Sequence, residues 1–232
     1  MLIPLPTLEG RLLRRYKRFF ADVELPGGEV VTAHCPNTGS LLGCTPRGAR
    51  AILRDSANQG RKLRYTFQTV EVDGTWVNVD TGLPGDLVAE ALAAGGIPEL
   101  AGYAEVRREV TVPSGSRLDF VLEAAGKTRC FVEVKSTTLA QDGVALFPDA
   151  VTARGKKHLF DLLELFEAGH RAVILFIVAR ADVTEFAPAD VIDPEYARAL
   201  RDVAARGVEP LAYSTRVEPD RIDIARRLHL LL

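Results

Sequence analysis

Two neighbouring stretches, Ser116-Arg-Leu-Asp-Phe-Val-Leu-Glu123 and Cys130-Phe-Val-Glu-Val-Lys-Ser136, decide the fold expected of this 232-residue chain. Both are rich in Val, Leu and Phe, and the short segment between them contains a glycine, so they are predicted to form a β-hairpin. Side chains two positions apart in a strand share a face, so Glu133 and Lys135 project together. Asp119 on the first strand then faces Glu133. The pattern therefore predicts two carboxylates and a lysine on one surface.

Such a cluster has a definite chemistry. Two close carboxylates repel each other unless a cation bridges them, and Mg²⁺ favours one or two carboxylates together with water and phosphate oxygens. Lys135 beside them could orient or deprotonate an attacking water, or stabilise charge on a reacting phosphate. The alternative is a surface hairpin whose acids and lysine form ordinary ion pairs, which contribute little. The residues alone leave both interpretations open.

A series of short motifs, in order from about residue 11 to residue 215, resembles those of the sugar fermentation stimulation protein (SfsA) family. Within it, Asp119 and the triplet Glu133-Val134-Lys135 resemble the first acid and the ExK triplet of the PD-(D/E)XK nuclease core. The shared phrases are Arg14-Arg-Tyr-Lys-Arg-Phe-Phe-Ala-Asp-Val23, Ala33-His-Cys-Pro-Asn-Thr-Gly-Ser40, Arg61-Lys-Leu-Arg-Tyr-Thr66, Ser116-Arg-Leu-Asp-Phe120, Val132-Glu-Val-Lys-Ser136, Phe147-Pro-Asp-Ala-Val-Thr-Ala-Arg-Gly155 and Lys157-His-Leu159.

The resemblance implies DNA binding without sequence preference and a regulatory role in sugar metabolism, with no established cleavage activity. It implies that Asp119, Glu133 and Lys135 occupy catalytic positions and that the two acids bind Mg²⁺ or Mn²⁺. Nuclease cores of this type can take a further metal ligand from the helix before the first strand, which here would be Glu90. An ordinary solvent-exposed glutamate is the alternative for that residue.

Composition and cysteine content indicate a cytoplasmic protein with a packed core. Hydrophobic residues make up 47% of the chain, yet the longest apolar run, Ala172–Ala179, is eight residues, which suits a buried strand and is too short for a membrane span. The first residues have no basic segment followed by an apolar core, so a signal peptide is not expected. Three cysteines without CxxC spacing suit a reducing compartment, and we expect all three to be small buried residues.

Charge is distributed unevenly along the chain. Residues 1–82 contain 11 Lys and Arg against 8 Asp and Glu, whereas residues 83–232 contain 18 against 23. A basic N-terminal part is consistent with a nucleic-acid partner, although the acidic remainder could equally serve solubility.

The N-terminal part is predicted to be a small β-barrel, residues 1–82. Asp73-Gly74 is a strong hairpin signal, and five strands in about seventy residues are compatible with an OB-fold. Periodicity alone does not separate this fold from an SH3-like barrel; the family resemblance implies the OB-fold. The predicted strands are Leu12–Leu25, Glu29–His34, Arg50–Asp55, Lys62–Val72 and Thr75–Asp80.

Five of the eight residues from Arg11 to Arg18 are basic and have aromatic neighbours, a combination that suits a groove binding the nucleic-acid backbone. In the alternative, the aromatic residues belong to the core and the arginines to a solvated strand face. The loop with Asn37 could bring backbone N–H groups to a phosphate, or be a purely structural turn. The candidate nucleic-acid contacts in this part are Arg14, Arg15, Lys17, Arg18, Asn37, Arg61 and Lys62.

Residues 83–232 are predicted to form a mixed-sheet α/β domain with helices on both faces, resembling PD-(D/E)XK nucleases. The first helix is expected to begin at Asp86 as N-cap and to stop at Gly95. The tail from Arg216 could pair as an edge strand or make a homodimer contact. The other predicted elements are strands Tyr103–Val112, Arg117–Glu123, Thr128–Thr137, Val144–Phe147, Arg171–Ala179 and Val208–Tyr213, and helices Thr152–Ala168 and Asp193–Gly207.

The helix predicted at Thr152–Ala168 begins with basic residues, although a helix N-terminus prefers anions. Arg154, Lys157 and His158 are therefore candidate phosphate contacts, unless they pair with acids such as Asp161 one turn later. The first hypothesis for the whole chain is a DNA-binding protein with a nuclease-like metal site. An active Mg²⁺-dependent nuclease is the alternative, and a small-molecule phosphohydrolase using the same ion is a third.

Overall fold

A computed structural model describes residues 1–3, 6–58 and 60–232. In these residues the α-helices are α1 Leu83–Ala93, α2 Ala153–Glu167 and α3 Pro194–Arg206, with a short 3-10 helix at Pro98–Leu100. The strands are β1 Thr7–Tyr16, β2 Phe20–Glu24, β3 Val30–His34, β4 Arg50–Asp55, β5 Tyr65–Val72, β6 Thr75–Asn78, β7 Glu105–Thr111, β8 Arg117–Glu123, β9 Cys130–Thr137, β10 Ala140–Gln141, β11 Val144–Phe147, β12 Arg171–Val178, β13 Glu185–Pro188, β14 Glu209–Val217, β15 Ile222–Arg227 and β16 His229–Leu230.

The first five strands close into a ring in the order β1-β2-β3-β5-β4 and back to β1. The closing contact is a parallel pairing of His34 on β3 with Thr66 on β5, and the other neighbours are antiparallel. This is the arrangement of an OB-fold. Its interior is filled by alternating apolar side chains, with Leu12, Leu53 and Phe67 completely buried.

The barrel differs from the prediction at its first strand, which was expected to run from Leu12 to Leu25. The chain instead turns at Lys17–Phe19, and Tyr16 pairs with Phe20 across a hairpin. Lys17 and Arg18 have φ values of 49° and 64°, in the left-handed region. Tight hairpin turns usually place Gly, Asn or Asp at such positions. The prediction was wrong because this turn contains none of them.

The second part is built on a mixed six-stranded sheet in the order β15-β14-β12-β9-β8-β7. The central strand β12 is parallel to β9 and β14, and the remaining pairs are antiparallel. Helix α1 packs on one face, where Leu87 and Val88 join the core around Phe120 and Val132. Helices α2 and α3 cover the other face. The mixed α/β architecture predicted from the sequence is confirmed.

The start of α1, the C-terminal tail and the number of strands differ from the predictions or add to them. Helix α1 begins at Leu83 after Gly82, so Asp86 lies in its first turn and is not the N-cap. The C-terminal tail pairs antiparallel with β14 as the edge strand β15, which is the first of the two roles predicted for it, and the homodimer contact stays a prediction. Strands β10, β13 and β16, which were not predicted, join β11 in a second, four-stranded sheet.

Several contacts hold residues 1–82 against the rest of the chain. Ile3 lies in the core beneath α1, and its backbone N–H donates to the Asp220 carbonyl at 2.7 Å. The Asn78 N–H donates to the Ala179 carbonyl at 3.0 Å. The Cys44 thiol lies 3.5 Å from the Thr138 carbonyl. All three cysteines are buried and free, as expected.

The longest helix, α2, has 15 residues. Among the residues described, none of the helices is both long and apolar enough to cross a membrane.

Candidate functional site

Strands β8 and β9 place the predicted acid pair and lysine together. Phe120 pairs with Val132, so the preceding Asp119 and the following Glu133 lie next to each other, on the sheet face covered by α2. The Lys135 ammonium donates to Glu133 Oε1 at 2.6 Å. These three side chains line a cavity of about 300 Å³ together with residues of α2.

Asp119 is held in a partly buried position that disfavours its charge. The Val134 N–H donates to Asp119 Oδ2 at 2.6 Å. Burial and then the neighbouring charge of Glu133 raise the pKa of Asp119 to about 6, against the opposing effects of Val134 and Lys135. A cation bound beside Asp119 would favour its charged form and so counteract the effects of burial and of Glu133.

Glu133 is almost completely buried, with 4% of its surface exposed. Burial acts to raise the pKa of this carboxyl, but contacts with His158 and Lys135 outweigh it and hold the pKa below its ordinary value. Both contacts fall on Oε1. Glu133 Oε2 is buried and has no hydrogen-bond partner. Leaving a buried carboxylate oxygen unpaired is costly, so the position fits a cation ligand.

His158 was predicted as a nucleic-acid contact, and the structure buries it against the acid pair instead of exposing it on the surface of α2. The ring is only 4% exposed, and its Nδ1 contacts Glu133 Oε1 directly. The Arg154 guanidinium donates to His158 Nε2, on the other side of the ring, at 3.5 Å. His158 therefore belongs to the acid cluster as a group that orients Glu133. The sequence signal for this position was that His158 lies one turn before Leu162, in the apolar stripe of α2.

Glu90 was predicted as a further metal ligand, and the structure does not bring it to the site. It lies on α1, which packs on the opposite face of the sheet. Its side chain is 57% exposed and meets the amino group of Met1 at 2.9 Å. In the part of the chain that is described, no group of three or more His, Cys, Asp and Glu side chains is arranged to hold a metal ion. The residues here that could hold a cation are therefore Asp119 and Glu133, and Mg²⁺ sites commonly use one or two carboxylates together with water and phosphate oxygens.

The basic first turns of α2 divide into two cases. Arg154 is exposed and lines the cavity of the acid pair. Lys157 donates to both Asp161 oxygens at 3.1 Å and contacts the Ser116 hydroxyl, so the predicted alternative of pairing with Asp161 is what the structure contains. Arg154 is the cation of this helix that remains available to a phosphate.

Two arginines of β1 have different surroundings. Arg14 is exposed, donates to Asp22 at 2.8 Å and covers the ring of Tyr16. Arg15 was predicted as a DNA contact, but its guanidinium donates hydrogen bonds to backbone carbonyls within the barrel. The acceptors, at 2.8 to 3.0 Å, are the carbonyls of Arg18, Asn37, Gly39 and Ser40. Arg15 therefore shapes the barrel loops.

The remaining basic candidates lie in two loops at one end of the barrel. Lys17 and Arg18 form the β1–β2 turn, and Arg61 and Lys62 lie in the β4–β5 loop. His34 pairs with the first residue of β2 on one side and with β5 on the other, so both loops emerge near it. In OB-folds these two loops commonly flank the oligonucleotide-binding face.

Asn37 is buried, and its Oδ1 accepts from the Gly39 N–H at 2.8 Å, as in a structural turn. The same loop docks on the segment before α2, where the Leu41 N–H donates to Asp149 Oδ2 at 2.8 Å. The Ser40 hydroxyl donates to the Asp149 carbonyl at 2.5 Å. Asp149 was not singled out from the sequence, although it stands in the shared phrase Phe147–Gly155.

Comparison with known proteins places these features in one family. Residues 13–79 match the SfsA N-terminal OB domain, and residues 82–221 match the sugar fermentation stimulation protein RE domain. A sugar fermentation stimulation protein homolog of Citrifermentans bemidjiense is 52% identical over 232 residues, covering 100% of both chains. The homolog of Geobacter sulfurreducens is 50% identical over 231 residues, covering 100% of this chain and 99% of the relative.

A solved structure agrees with the sequence relatives. The structure of Pyrococcus furiosus SfsA in complex with Ca²⁺ matches with a TM-score of 0.89 and 30% sequence identity, covering 100% of this chain and 98% of that one. The match includes the barrel and the mixed-sheet part together. Because both domains, the full-length relatives and this fold all agree, the chain belongs to the sugar fermentation stimulation protein family.

Proposed function

We propose that the protein binds DNA through its barrel loops and places one strand at a divalent metal site formed by Asp119 and Glu133. The observation that carries the proposal is the unpartnered, buried Oε2 of Glu133 beside the partly buried Asp119. A divalent cation would satisfy that oxygen and relieve the repulsion between the two acids. We propose that residues 1–82 form the DNA-binding domain and residues 83–232 the domain with the metal site. Met1–Ile3 packs against the second of these domains.

The choice of metal rests on the donor set and on one relative. The SfsA of Pyrococcus furiosus was solved in complex with Ca²⁺. Ca²⁺ and Mg²⁺ both prefer oxygen ligands, and a site with two carboxylates and room for water suits Mg²⁺ or Mn²⁺. When bound, the ion would polarise a phosphate oxygen and lower the pKa of a bound water. Lys135, already fixed by Glu133, would donate to the phosphate or to that water.

The exposed cations of the barrel loops support DNA as the partner. Lys17 and Lys62 are exposed. Contacts from such groups neutralise backbone phosphates and carry no base information, so affinity is expected to be independent of sequence and to fall steeply with salt. We also propose a cytoplasmic location and a regulatory role in sugar metabolism, in keeping with the family and the free cysteines.

The DNA part is tested by replacing Lys17 and Lys62 with Ala. Affinity for all DNA sequences should fall alike, and the slope of log K against log salt should become shallower by about one unit for each lost phosphate contact. Replacing Arg198 and Arg216, which are exposed on α3 and β14, removes the same charge elsewhere and should leave the slope unchanged. If both double variants change the salt slope equally, DNA affinity depends only on the net charge of the protein, and the barrel loops are not the binding site.

The metal part is tested by Glu133→Gln, with Glu164→Gln on the exposed side of α2 as the matched control. An ion at a hundred times its Kd adds about 2.7 kcal/mol to the free energy of unfolding, or about 5–10 °C in Tm for a chain of this size. This rise should disappear in Glu133→Gln and persist in Glu164→Gln. A full rise in Glu133→Gln would exclude Glu133 as a ligand.

A second candidate function, metal-dependent phosphodiester hydrolysis, is favoured by Lys135 lying 2.6 Å from Glu133 in the expected triplet. Wild-type protein is incubated with single- and double-stranded DNA and with RNA in Mg²⁺ or Mn²⁺. Cleavage that is lost in Glu133→Gln supports the nuclease. Metal binding without cleavage of any substrate leaves the DNA-binding function and removes the enzymatic one.

A further inference from the structure

A second cavity, of about 310 Å³, lies where the barrel meets the mixed-sheet part. Its walls come from the barrel loop at 37–39, the end of β9 at 136–138 and the segment 146–152 before α2. None of the roles assigned so far uses it. Its walls carry mostly polar groups, with the Phe147 side chain contributing an apolar part.

The cavity has hydrogen-bonding groups that the fold does not use. Thr137 is 1% exposed, and its hydroxyl has no hydrogen-bond partner. A buried, unpaired hydroxyl costs free energy, so its retention on a cavity wall points to a bound group that completes it. Ser136 and Thr138, the neighbours of Thr137 in the chain, also line the cavity. The site is therefore built to bind a polar molecule.

The cavity adjoins the acid pair. Phe147 and Thr152 line both cavities, and Ser136 directly follows Lys135 in β9. A ligand in the second cavity would therefore lie next to a phosphate held at Asp119 and Glu133. Its volume is at the lower end of small-molecule sites, which are about 300–1,000 Å³. The space suits one nucleotide and is too small for a base pair.

The charges around the cavity define its ligand further. Arg18 lines it from the β1–β2 turn, in the left-handed backbone conformation described above, and supplies a cation. Asp149 supplies a carboxylate on the opposite loop, which disfavours a free phosphate and accepts from hydroxyl and amino groups. Gly39 lets the barrel loop approach this carboxylate closely, because a β-carbon there would lie 2.7 Å from Asp149 Oδ1 and would displace it. A cation, an acceptor and several hydroxyls match the phosphate, sugar and base of a nucleotide.

We propose that this interdomain cavity binds one unpaired nucleotide of a DNA strand whose neighbouring phosphate lies at Asp119 and Glu133. The inference rests on the proposed function and specifies its substrate. DNA with an unpaired nucleotide, at an end or in a gap, binds more tightly than continuous duplex. A nucleotide in the stack of a duplex cannot enter without leaving it, which costs free energy.

The test compares a blunt duplex with the same duplex carrying a one-nucleotide overhang, in Ca²⁺ and at fixed salt. Wild-type protein should bind the overhang about tenfold more tightly, the order of effect expected from accommodating one base. Thr137→Val and Ser136→Ala should remove this preference and leave affinity for the blunt duplex unchanged. Thr69→Val is the matched control, because it also removes a buried, unpartnered hydroxyl, but from β5 of the barrel, and the preference should persist.

Thr137→Val replaces an unsatisfied hydroxyl by a methyl group of similar shape, so the variant should fold, and Ser136→Ala gives an independent measurement on a partly exposed side chain. A wild-type protein that binds both duplexes equally, or a preference that survives in both variants, overturns the inference and leaves the proposed function intact. Free dAMP that competes with the blunt duplex as well as with the overhang also overturns it. A wild-type protein that binds neither duplex overturns both.

Discussion

The β1–β2 turn allows a prediction in which stability and binding change in opposite directions. Lys17 and Arg18 adopt φ values of 49° and 64°. An L-residue in this region costs about 1–2 kcal/mol, and glycine avoids that cost. Glycine also loses more conformational entropy on folding, by roughly 0.5–1 kcal/mol. Arg18→Gly and Lys17→Gly should therefore each raise the free energy of unfolding by about 0.5–1 kcal/mol.

The measurement is urea unfolding of the full chain, supported by a rise in Tm of about 1–4 °C. The Arg18 carbonyl, which accepts from Arg15, is kept in the glycine variant. Arg216→Gly is the control, because Arg216 is an exposed strand residue outside the positive-φ set and should lose about 0.5–1 kcal/mol. A loss of stability in both turn variants would refute the strain argument.

DNA binding then separates the two turn residues. Both variants lose one positive charge, so both should weaken binding to blunt duplex to a similar extent. Only Arg18 lines the interdomain cavity, so only Arg18→Gly should also reduce the preference for an unpaired nucleotide. Residues in a strained backbone conformation are often retained because they serve a function. Comparing the two variants tests which residue, Lys17 or Arg18, has a functional role. The same loss of preference in Lys17→Gly would assign the effect to charge alone.

Three further outcomes are expected. Gly207→Ala should destabilise the protein by about 1–3 kcal/mol more than Gly169→Ala in urea unfolding. Both glycines have positive φ, but only at Gly207 would the new β-carbon overlap the Phe166 ring. Equal losses of stability in the two variants would mean that the ring moves freely. Arg15→Lys should speed amide hydrogen exchange at Gly39 and Leu41, because one ammonium cannot replace the four guanidinium contacts, and unchanged exchange would contradict the role given to Arg15. Hydrogen bonds from Arg180 hold the pKa of Asp182 below its ordinary value of about 4. The stability that this pair contributes is therefore present above about pH 4 and is lost as the pH falls through the lower pKa of the folded state. In urea unfolding at a series of pH values, Asp182→Asn should flatten this acid part of the plot of unfolding free energy against pH, and an unchanged plot would mean that the pair contributes nothing.

The sequence by itself determined the elements whose signals are local. Strand alternation placed Glu133 and Lys135 on one face, and the observed hydrogen bond between them follows from that spacing. The predicted bounds Arg117–Glu123 and Val144–Phe147 are those of β8 and β11. Periodicity also identified α2, because its apolar side chains recur every three to four residues.

Only the tertiary structure decided the surroundings of each side chain. Glu90 has the same local sequence whether α1 packs on one face of the sheet or the other, and the packed face excludes it from the acid pair. Arg15 and His158 look like ordinary surface residues in the sequence, but Asn37 and Glu133, which they contact in the structure, lie more than twenty residues away along the chain. The interdomain cavity joins segments separated by about a hundred residues. Contacts of this kind depend on how whole elements pack, and local propensity does not contain that information.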